Sequence, residues 1–382
     1  DELGPGPGLF GRTAVGLAEF QEDAVKKARR ILGRYDGVLV ADSVGLGKTW
    51  IGKKLLEDYA YHQRLKAVVV CPASLREMWR RELADATISA QIVGMEEIGR
   101  DGFDMHPYAD ADVLLVDESH NFRNGSTNRY LALDALIQMR GGRGRDGQRK
   151  KVILLSATPI NNDLYDLLNQ LRLFTQSEPD YFRDAGIGDL NAYFRQARRL
   201  ARTEGASSGM LLFNLLEEIA VRNTRPYIRV AYPNATINGK PVHFPDRRLR
   251  TFQYSLGQTY AGLYEEIVRD IGQLSLAPYT LESYKKPGET VDEWEQGREV
   301  ALVGIFKTRF LKRLESSIEA FRLSVKRALA FEQAYLDFLL NQRVISSRDF
   351  WKMLRLAGMD EDDLNGDDLA DRMEEVDAVK QH

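Results

Sequence analysis

Four short apolar runs, Val38-Leu39-Val40-Ala41, Ala67-Val68-Val69-Val70-Cys71, Val113-Leu114-Leu115-Val116 and Val152-Ile153-Leu154-Leu155, punctuate the first 175 residues between stretches of helical periodicity. A continuous apolar run is what a strand buried on both faces requires, and its alternation with helices predicts a parallel sheet covered by helices. Between the second and third runs, Ser74-Leu75-Arg76-Glu77 has the spacing of a capping box and predicts a helix opening at Ser74.

Residues 175–229 turn helical and basic, as in Arg195-Gln196-Ala197-Arg198-Arg199-Leu200-Ala201-Arg202, which reads as a solvated helix face. Residues 232–245 carry Pro and Gly and predict a connector or hairpin. Beyond them, Phe310, Leu314, Ile318, Phe321, Val325 and Leu329 recur at steps of three or four and predict one amphipathic helix with a single apolar stripe. No repeat of fixed period is present. The expected division is a lobe over residues 1–250, with a helical protrusion at about 176–230, and a mainly helical extension over residues 251–382.

Composition changes this picture in two places. A chain of 382 residues with 43% hydrophobic and 29% charged residues can bury a large core. Its net charge of -3 hides an uneven distribution: residues 358–382 hold ten acidic side chains against two basic ones, and the rest holds 51 basic against 46 acidic. The tail is therefore expected to be loosely ordered, and the body mildly basic, as a nucleic-acid partner would permit. The single cysteine, Cys71, excludes an internal disulfide and a cysteine-based zinc site and reads as a small buried hydrophobe. No apolar run is long enough for a membrane span and no signal peptide opens the sequence, so a cytoplasmic protein is expected, with no membrane partner.

Candidate chemistry lies just past three of the apolar runs. The first is followed by Asp42-Ser43-Val44-Gly45-Leu46-Gly47-Lys48-Thr49 and then a helical pattern to about His62, the context of a phosphate-binding loop. Gly45 and Gly47 let successive main-chain amides approach a polyphosphate at the positive end of a helix. Lys48 is expected to reach the β- and γ-phosphates of ATP, and the Thr49 hydroxyl to ligate Mg2+. Asp42 stands where the usual pattern has Gly.

The third run ends in Asp117-Glu118-Ser119-His120. Side chains alternate along a strand, so the adjacent acids can divide the work, Asp117 holding Mg2+ and Glu118 orienting and deprotonating the attacking water. The fourth run leads into Ser156-Ala157-Thr158-Pro159, hydroxyl residues at the sheet edge where ligands bind in open α/β folds, although such residues also cap helices.

In order and spacing, Asp42 to Thr49, Asp117 to His120 and Ser156 to Pro159 resemble motifs I, II and III of superfamily-two helicase-like ATPases. The run from Leu155 to Asn162 resembles the Swi/Snf branch in particular. Phe20-Gln21 looks like the glutamine motif, Val70-Cys71-Pro72-Ala73-Ser74-Leu75 like motif Ia, and Val221-Arg222-Asn223-Thr224-Arg225 like the Arg-rich signature of the family. Thr308 to Ser317 resembles the helix preceding the second lobe in bacterial members. The resemblance covers about residues 20–267.

This resemblance implies a RecA-like first lobe that binds ATP and Mg2+ and acts on double-stranded DNA. Gln21 would contact adenine, and His120 would couple the magnesium site to motif III, with Ser156 and Thr158 as its coupling residues. Pro72, Ser74, Arg123, Arg222 and Arg225 would lie along DNA. No segment resembles a second RecA-like lobe or its Gln-x-x-Gly-Arg-x-x-Arg element; the Gly/Arg-rich residues 140–151 lie between motifs II and III and read as a flexible basic loop. An arginine finger contributes about a thousandfold or more to phosphoryl transfer, so the chain is expected to bind ATP and hydrolyse it poorly unless a second lobe joins it. It reads as a fragment of a bacterial, nucleoid-associated duplex DNA translocase that remodels protein–DNA complexes, with further protein partners. A strand-separating DNA or RNA helicase and a nucleotide-gated interaction module without motor activity are the alternatives.

Overall fold

A computed structural model describes residues 14–100, 102–139, 149–160, 164–203, 213–245, 248–251, 253, 255, 259–286 and 293–340. Each apolar run becomes a strand: β1 (Gly37–Val40), β2 (Ala67–Cys71), β4 (Val113–Asp117) and β5 (Lys151–Leu155), whose side chains are buried on both faces but for Lys151. Two further strands, β3 (Gln91–Gly94) and β6 (Ala220–Val221), complete a parallel six-stranded sheet of order β3-β2-β4-β5-β1-β6. The α/β fold expected from the alternation is the observed one, a sheet flanked by helices.

Register fixes what the sheet can present. Val40 lies opposite Leu155, and Leu155 opposite Asp117, so β1, β5 and β4 end level with one another. The three chemistry-bearing segments therefore leave the sheet side by side at its carboxyl edge, the crevice where ligands bind in open parallel sheets.

Helix α1 (Glu19–Tyr35) packs on β1 and β6, and α2 (Lys48–Leu56) continues the loop after β1. A Cβ placed on Gly52 would lie 2.8 Å from Leu115 Cδ1 and 2.9 Å from Leu155 Cδ1, so only glycine lets α2 settle this closely on β4 and β5. After Leu56 the helix widens into a π-helical turn, Glu57–His62. Here Lys54 Nζ donates to Glu57 Oε2 at 2.5 Å and to Asp58 Oδ1 at 2.9 Å, and Arg29 pairs with Asp58, so a buried network of balanced charge ties α2 to α1.

Then come α3 (Arg76–Asp85), α4 (Met95–Ile98), α5 (Asn128–Gln138), α6 (Leu164–Thr175) and α7 (Leu190–Thr203). The predicted capping box does not form. The Ala73 amide donates to Glu96, residues Ala73–Leu75 make a 3-10 turn, and Glu77 pairs with Arg80 and Arg81 instead of reaching back.

The predicted protrusion at 176–230 also needs correction. Phe182, Leu190, Phe194, Ile219 and Val221 enter the main core, and Ala220–Val221 is a strand of the sheet, so much of the segment is core. Its solvated basic face is real in part: Arg195 and Arg199 are exposed on α7, while Arg198 lies 4.9 Å from the centre of the Tyr165 ring. Residues 213–219 are helical and lead into β6; α8 (Arg225–Ala231) follows it. The Pro/Gly connector is a short antiparallel hairpin, β7 (Thr236–Ile237) with β8 (Lys240–Pro241).

Of the predicted basic loop, residues 140–148 lie outside the described residues, and its end is tied down. Arg149 donates to the Thr175 carbonyl at 3.2 Å, Lys150 is buried and donates to the Ala109 carbonyl at 2.7 Å, and Lys151 opens β5. Asn161, Asn162 and the acidic tail from Gly358 also lie outside the described residues.

The chain divides into two compact units, Asp1–Asp246 and Arg247–His382. The second holds α9 (Leu263–Gln273), α10 (Glu293–Ser316) and α11 (Ile318–Leu340), with a small core of Leu276, Tyr279, Val303, Phe306 and Phe331. The single stripe predicted from Phe310 to Leu329 is broken here. Ser317 separates the two helices, and its Oγ accepts the Ala320 amide at 3.4 Å as a helix cap does. Phe310 and Leu314 are buried on α10, whereas Ile318, Val325 and Leu329 are exposed on α11. Among the described residues no helix is long and apolar enough to cross a membrane.

Candidate nucleotide site

Between β1 and α2 the chain must turn sharply while keeping its amides free. Gly45 and Gly47 supply this with φ of 78° and 82°, left-handed values that cost an ordinary residue about 1–2 kcal/mol. Gly47 precedes α2, and no side chain caps that helix, which leaves its amino end open to an anion. Lys48, the first residue of α2, folds over the loop and donates to the Asp42 carbonyl at 3.0 Å. Thr49 is half-buried in the same first turn, and Ser43, Val44 and Leu46 complete the loop.

Asp42 departs from the usual glycine because it is an anchor. Its buried carboxylate accepts the Asn223 main-chain amide at 2.6 Å and the Asn223 side-chain amide at 3.3 Å, while the Ser43 amide donates to the Asn223 carbonyl at 3.0 Å. Burial pushes the Asp42 carboxyl up to about 6, against the opposing effect of the Asn223 donors and the Lys48 charge.

A carboxyl with a raised folded pKa holds its proton more tightly folded than unfolded. Its stabilising contribution is therefore complete below the unfolded value of 3.8 and lost as pH rises through about 6. That difference corresponds to about 3 kcal/mol. Asp42→Asn is expected to flatten the pH dependence of the unfolding free energy across about pH 4 to 6. Denaturant titrations over that range check this, and an unaltered slope in the variant would contradict it.

Gln21 sits at the start of α1, buried. Its Oε1 accepts the Ala18 amide at 3.0 Å, closing the helix end, and its Nε2 donates to the Leu46 carbonyl at 3.0 Å. The residue expected at adenine thus braces the phosphate loop, with both ends of its amide engaged.

Opposite the loop, Asp117 ends β4 with its carboxylate buried. Oδ2 accepts the Trp79 indole N–H at 2.9 Å and Oδ1 the Glu118 amide at 2.9 Å. Burial, opposed by the indole, pushes this carboxyl up, so a cation beside it would relieve the desolvated charge. Glu118 takes φ of 51°, a left-handed conformation in a non-glycine residue. Hydrogen bonding to His120 holds the Glu118 carboxyl below its usual range, and the Lys48 charge adds to this. Glu118 is thus ionised at neutral pH, as a base must be.

The residues expected to couple the site to the loop after β5 meet. His120 Nδ1 lies 3.3 Å from Glu118 Oε2 and 3.4 Å from Ser156 Oγ, and Ser156 Oγ accepts the Thr158 amide at 3.2 Å. A second link went unread in the sequence. Ser119 Oγ donates to Gln170 Oε1 at 2.9 Å, and Gln170 Nε2 donates to the Pro159 carbonyl at 2.7 Å, so a fully buried glutamine of α6 joins the loops after β4 and β5. Trp79 is the other missed residue.

The residues expected along DNA divide. Pro72 is half-buried and Ser74 exposed just past β2, and Arg222 is exposed just past β6. Arg123 is half-buried, and its carbonyl accepts Asn169 Nδ2 at 2.6 Å. Arg225 turns to the nucleotide loop instead, its Nη2 donating to the Val44 carbonyl at 3.0 Å. Cys71 is fully buried with its thiol pushed up to about 12 by burial, a packing residue as expected.

The donor set suits a magnesium–triphosphate: an open helix end, two left-handed glycines, one lysine, one hydroxyl in the first turn, and a buried acid across from them. Thr49 and Asp117 are the residues that could hold the ion.

No family model matches the chain. It is similar to the uncharacterized ATP-dependent helicase YqhH of Bacillus subtilis, 22% identical over 264 residues, covering 63% of this chain and 41% of that protein. Another relative is the DNA annealing helicase and endonuclease ZRANB3 of Bos taurus, 26% identical over 282 residues, covering 66% of this chain and 24% of that protein. The chain spans less than half the length of either relative. Among solved structures, the Sulfolobus solfataricus SWI2/SNF2 ATPase core in complex with dsDNA aligns at a TM-score of 0.45 and 16% identity, over 93% of this chain and 66% of that one. The three motifs, the sheet edge on which they converge and the curated relatives make the chain similar to the Swi/Snf-type, superfamily-two helicase-like proteins.

Proposed function

We propose that this chain is the ATP-binding lobe of a DNA-dependent ATPase that translocates on double-stranded DNA and remodels protein–DNA complexes. The observation that carries the reading is the convergence of Lys48, Asp117, Glu118 and Ser156 at the level ends of three adjacent strands. The loop amides and Lys48 grip the phosphates, and Thr49 and Asp117 hold Mg2+, which neutralises charge on the phosphates when bound. Glu118 accepts the proton of the attacking water. Its contact with His120, and the contact of His120 with Ser156, connect that carboxylate to the loop after β5, so a change at the phosphates is felt where DNA would lie.

The names of the relatives, an ATP-dependent helicase and a DNA annealing helicase, support nucleotide use on DNA. Pro72, Ser74, Arg123 and Arg222 are the residues assigned to the DNA backbone. The chain by itself binds ATP with magnesium and turns it over slowly, because the arginines that stabilise the transition state come from a second RecA-like lobe.

The test is ATP turnover by a protein that joins this chain to its second lobe, with duplex DNA, single strands or RNA added. Stimulation by duplex above the other two is expected. Equal stimulation by RNA would favour a strand-separating helicase, and nucleotide binding without stimulated turnover would favour a gated interaction module.

A further inference from the structure

Val221 to Arg225 serves the nucleotide loop at every second step. Val221 lies in β6, Asn223 anchors Asp42 and Ser43, and Arg225 reaches the loop crest. The backbone that carries Arg225 is itself fixed. Thr224 Oγ1 accepts the Tyr227 amide at 3.4 Å and caps α8, Arg225 is the first residue of that helix, and Pro226 follows. The guanidinium lies 5.9 Å from the centre of the Phe244 ring, and a Cβ on Gly45 would come within 2.8 Å of Arg225 Nη2. The contact at Val44 thus needs glycine at 45 for space as well as for its φ of 78°.

A trans peptide is planar, so its carbonyl and its amide point in opposite directions. Arg225 draws the Val44 carbonyl outward, and the Gly45 amide of that same peptide is thereby aimed to the opposite side. At the other end of the loop Gln21 holds the Leu46 carbonyl in the same manner, which orients the Gly47 amide. Two side-chain donors therefore grip alternate peptides of the loop from outside. The Arg225 Nε is buried and has no hydrogen-bond partner among the described residues, so the head group keeps a donor in reserve beside Gly45.

We infer that Arg225 is a positioning residue for the nucleotide: by holding the Val44 carbonyl it presets the Gly45 amide toward the polyphosphate, and it does not contact DNA. The inference rests on the ATP-site reading above and goes beyond it. Preorganised donors bind without first giving up conformational freedom, so losing this grip weakens ATP binding while the fold stands.

The experiment uses the whole 382-residue chain, titrated calorimetrically with ATP in excess Mg2+ and, separately, with duplex DNA over a range of salt. Arg225→Ala is expected to weaken ATP binding by about tenfold, the scale of one hydrogen bond from a charged donor. Arg225→Lys, which keeps a charged donor, should recover most of that loss, a rescue that a purely packing role would not give. Duplex affinity and its salt slope should match those of the parent.

Unchanged ATP affinity in Arg225→Ala overturns the inference. So does a fall in duplex affinity with the salt slope reduced by about one, the mark of a lost phosphate contact. If the alanine variant does not fold, Arg225→Gln carries the same comparison with an uncharged donor. Lys48→Ala separates the two levels of the argument: if it loses ATP binding while Arg225→Ala does not, only the positioning role fails. If both bind ATP as the parent does, the ATP site itself has been misassigned.

Discussion

Lys48→Ala is expected to abolish ATP binding at any practical concentration. Lys48 is a cation facing the acids of this site, and its charge acts on Asp42, Asp117 and Glu118 alike. Without it, a polyanion would enter a crevice lined by carboxylates and lose the lysine charge that offsets them. A unit charge about 4 Å from a phosphate contributes about 4 kcal/mol at the effective dielectric of a protein surface, equivalent to about a thousandfold in affinity. The fold should survive, because Lys48 is only half-buried and gives up one hydrogen bond, to the Asp42 carbonyl, worth about 1 kcal/mol. Calorimetric titration with ATP and Mg2+, with a thermal melt as control, checks both halves. An ATP affinity equal to that of the parent would contradict the assignment.

The motifs were legible because each depends on local chemistry. Strands buried on both faces must be apolar throughout, so β1, β2, β4 and β5 stand out. A loop with two left-handed glycines before a helix can be read from its residues alone. The remaining two strands escaped for a physical reason: β3 is four residues long and half exposed, and β6 is two residues long at the end of a helical stretch, so neither builds a period of its own.

What failed were inferences that depend on which element packs on which. Asp42 looked like a departure from the loop pattern, but its role is set by Asn223, 181 positions away. Ser74 and Glu77 have capping-box spacing, yet Glu96 from another element takes the neighbouring Ala73 amide and two arginines take Glu77. The resemblance sets Arg225 along DNA, and only the placement of β6 beside β1 shows that its guanidinium also reaches the loop.

Gln170 left a trace that sequence reading can use. It lies on a helix with Leu167 three residues before it and Leu171 and Phe174 after it, all buried. A polar side chain within an apolar stripe must find partners inside, and here they are Ser119 and the Pro159 carbonyl. Trp79 gives no comparable trace, since the sequence marks it as buried on α3 without saying that its N–H meets Asp117.

Glu118→Gln is expected to separate binding from turnover. The substitution keeps the size of the side chain and its capacity to accept a hydrogen bond, and removes its charge and basicity. Binding of ATP should therefore be retained, with one acid fewer facing the phosphates. Turnover should fall by about a hundredfold to ten-thousandfold, the range typical of a lost general base. Its neighbours argue for this role over a structural one. Glu118 is held ionised by His120 and Lys48, it occupies a left-handed conformation that an ordinary strand end has no reason to adopt, and it is less buried than Asp117, which burial pushes toward the neutral form. The two acids thus have opposite electrostatic settings: Asp117 gains from a cation, and Glu118 remains ready to take a proton. The measurement is single-turnover hydrolysis beside equilibrium ATP binding, in a protein that joins this chain to the second lobe proposed above, with duplex DNA present. Full turnover in the variant would mean that another group activates the water, whereas loss of ATP binding together with turnover would move Glu118 from the chemical step into the binding of the phosphates.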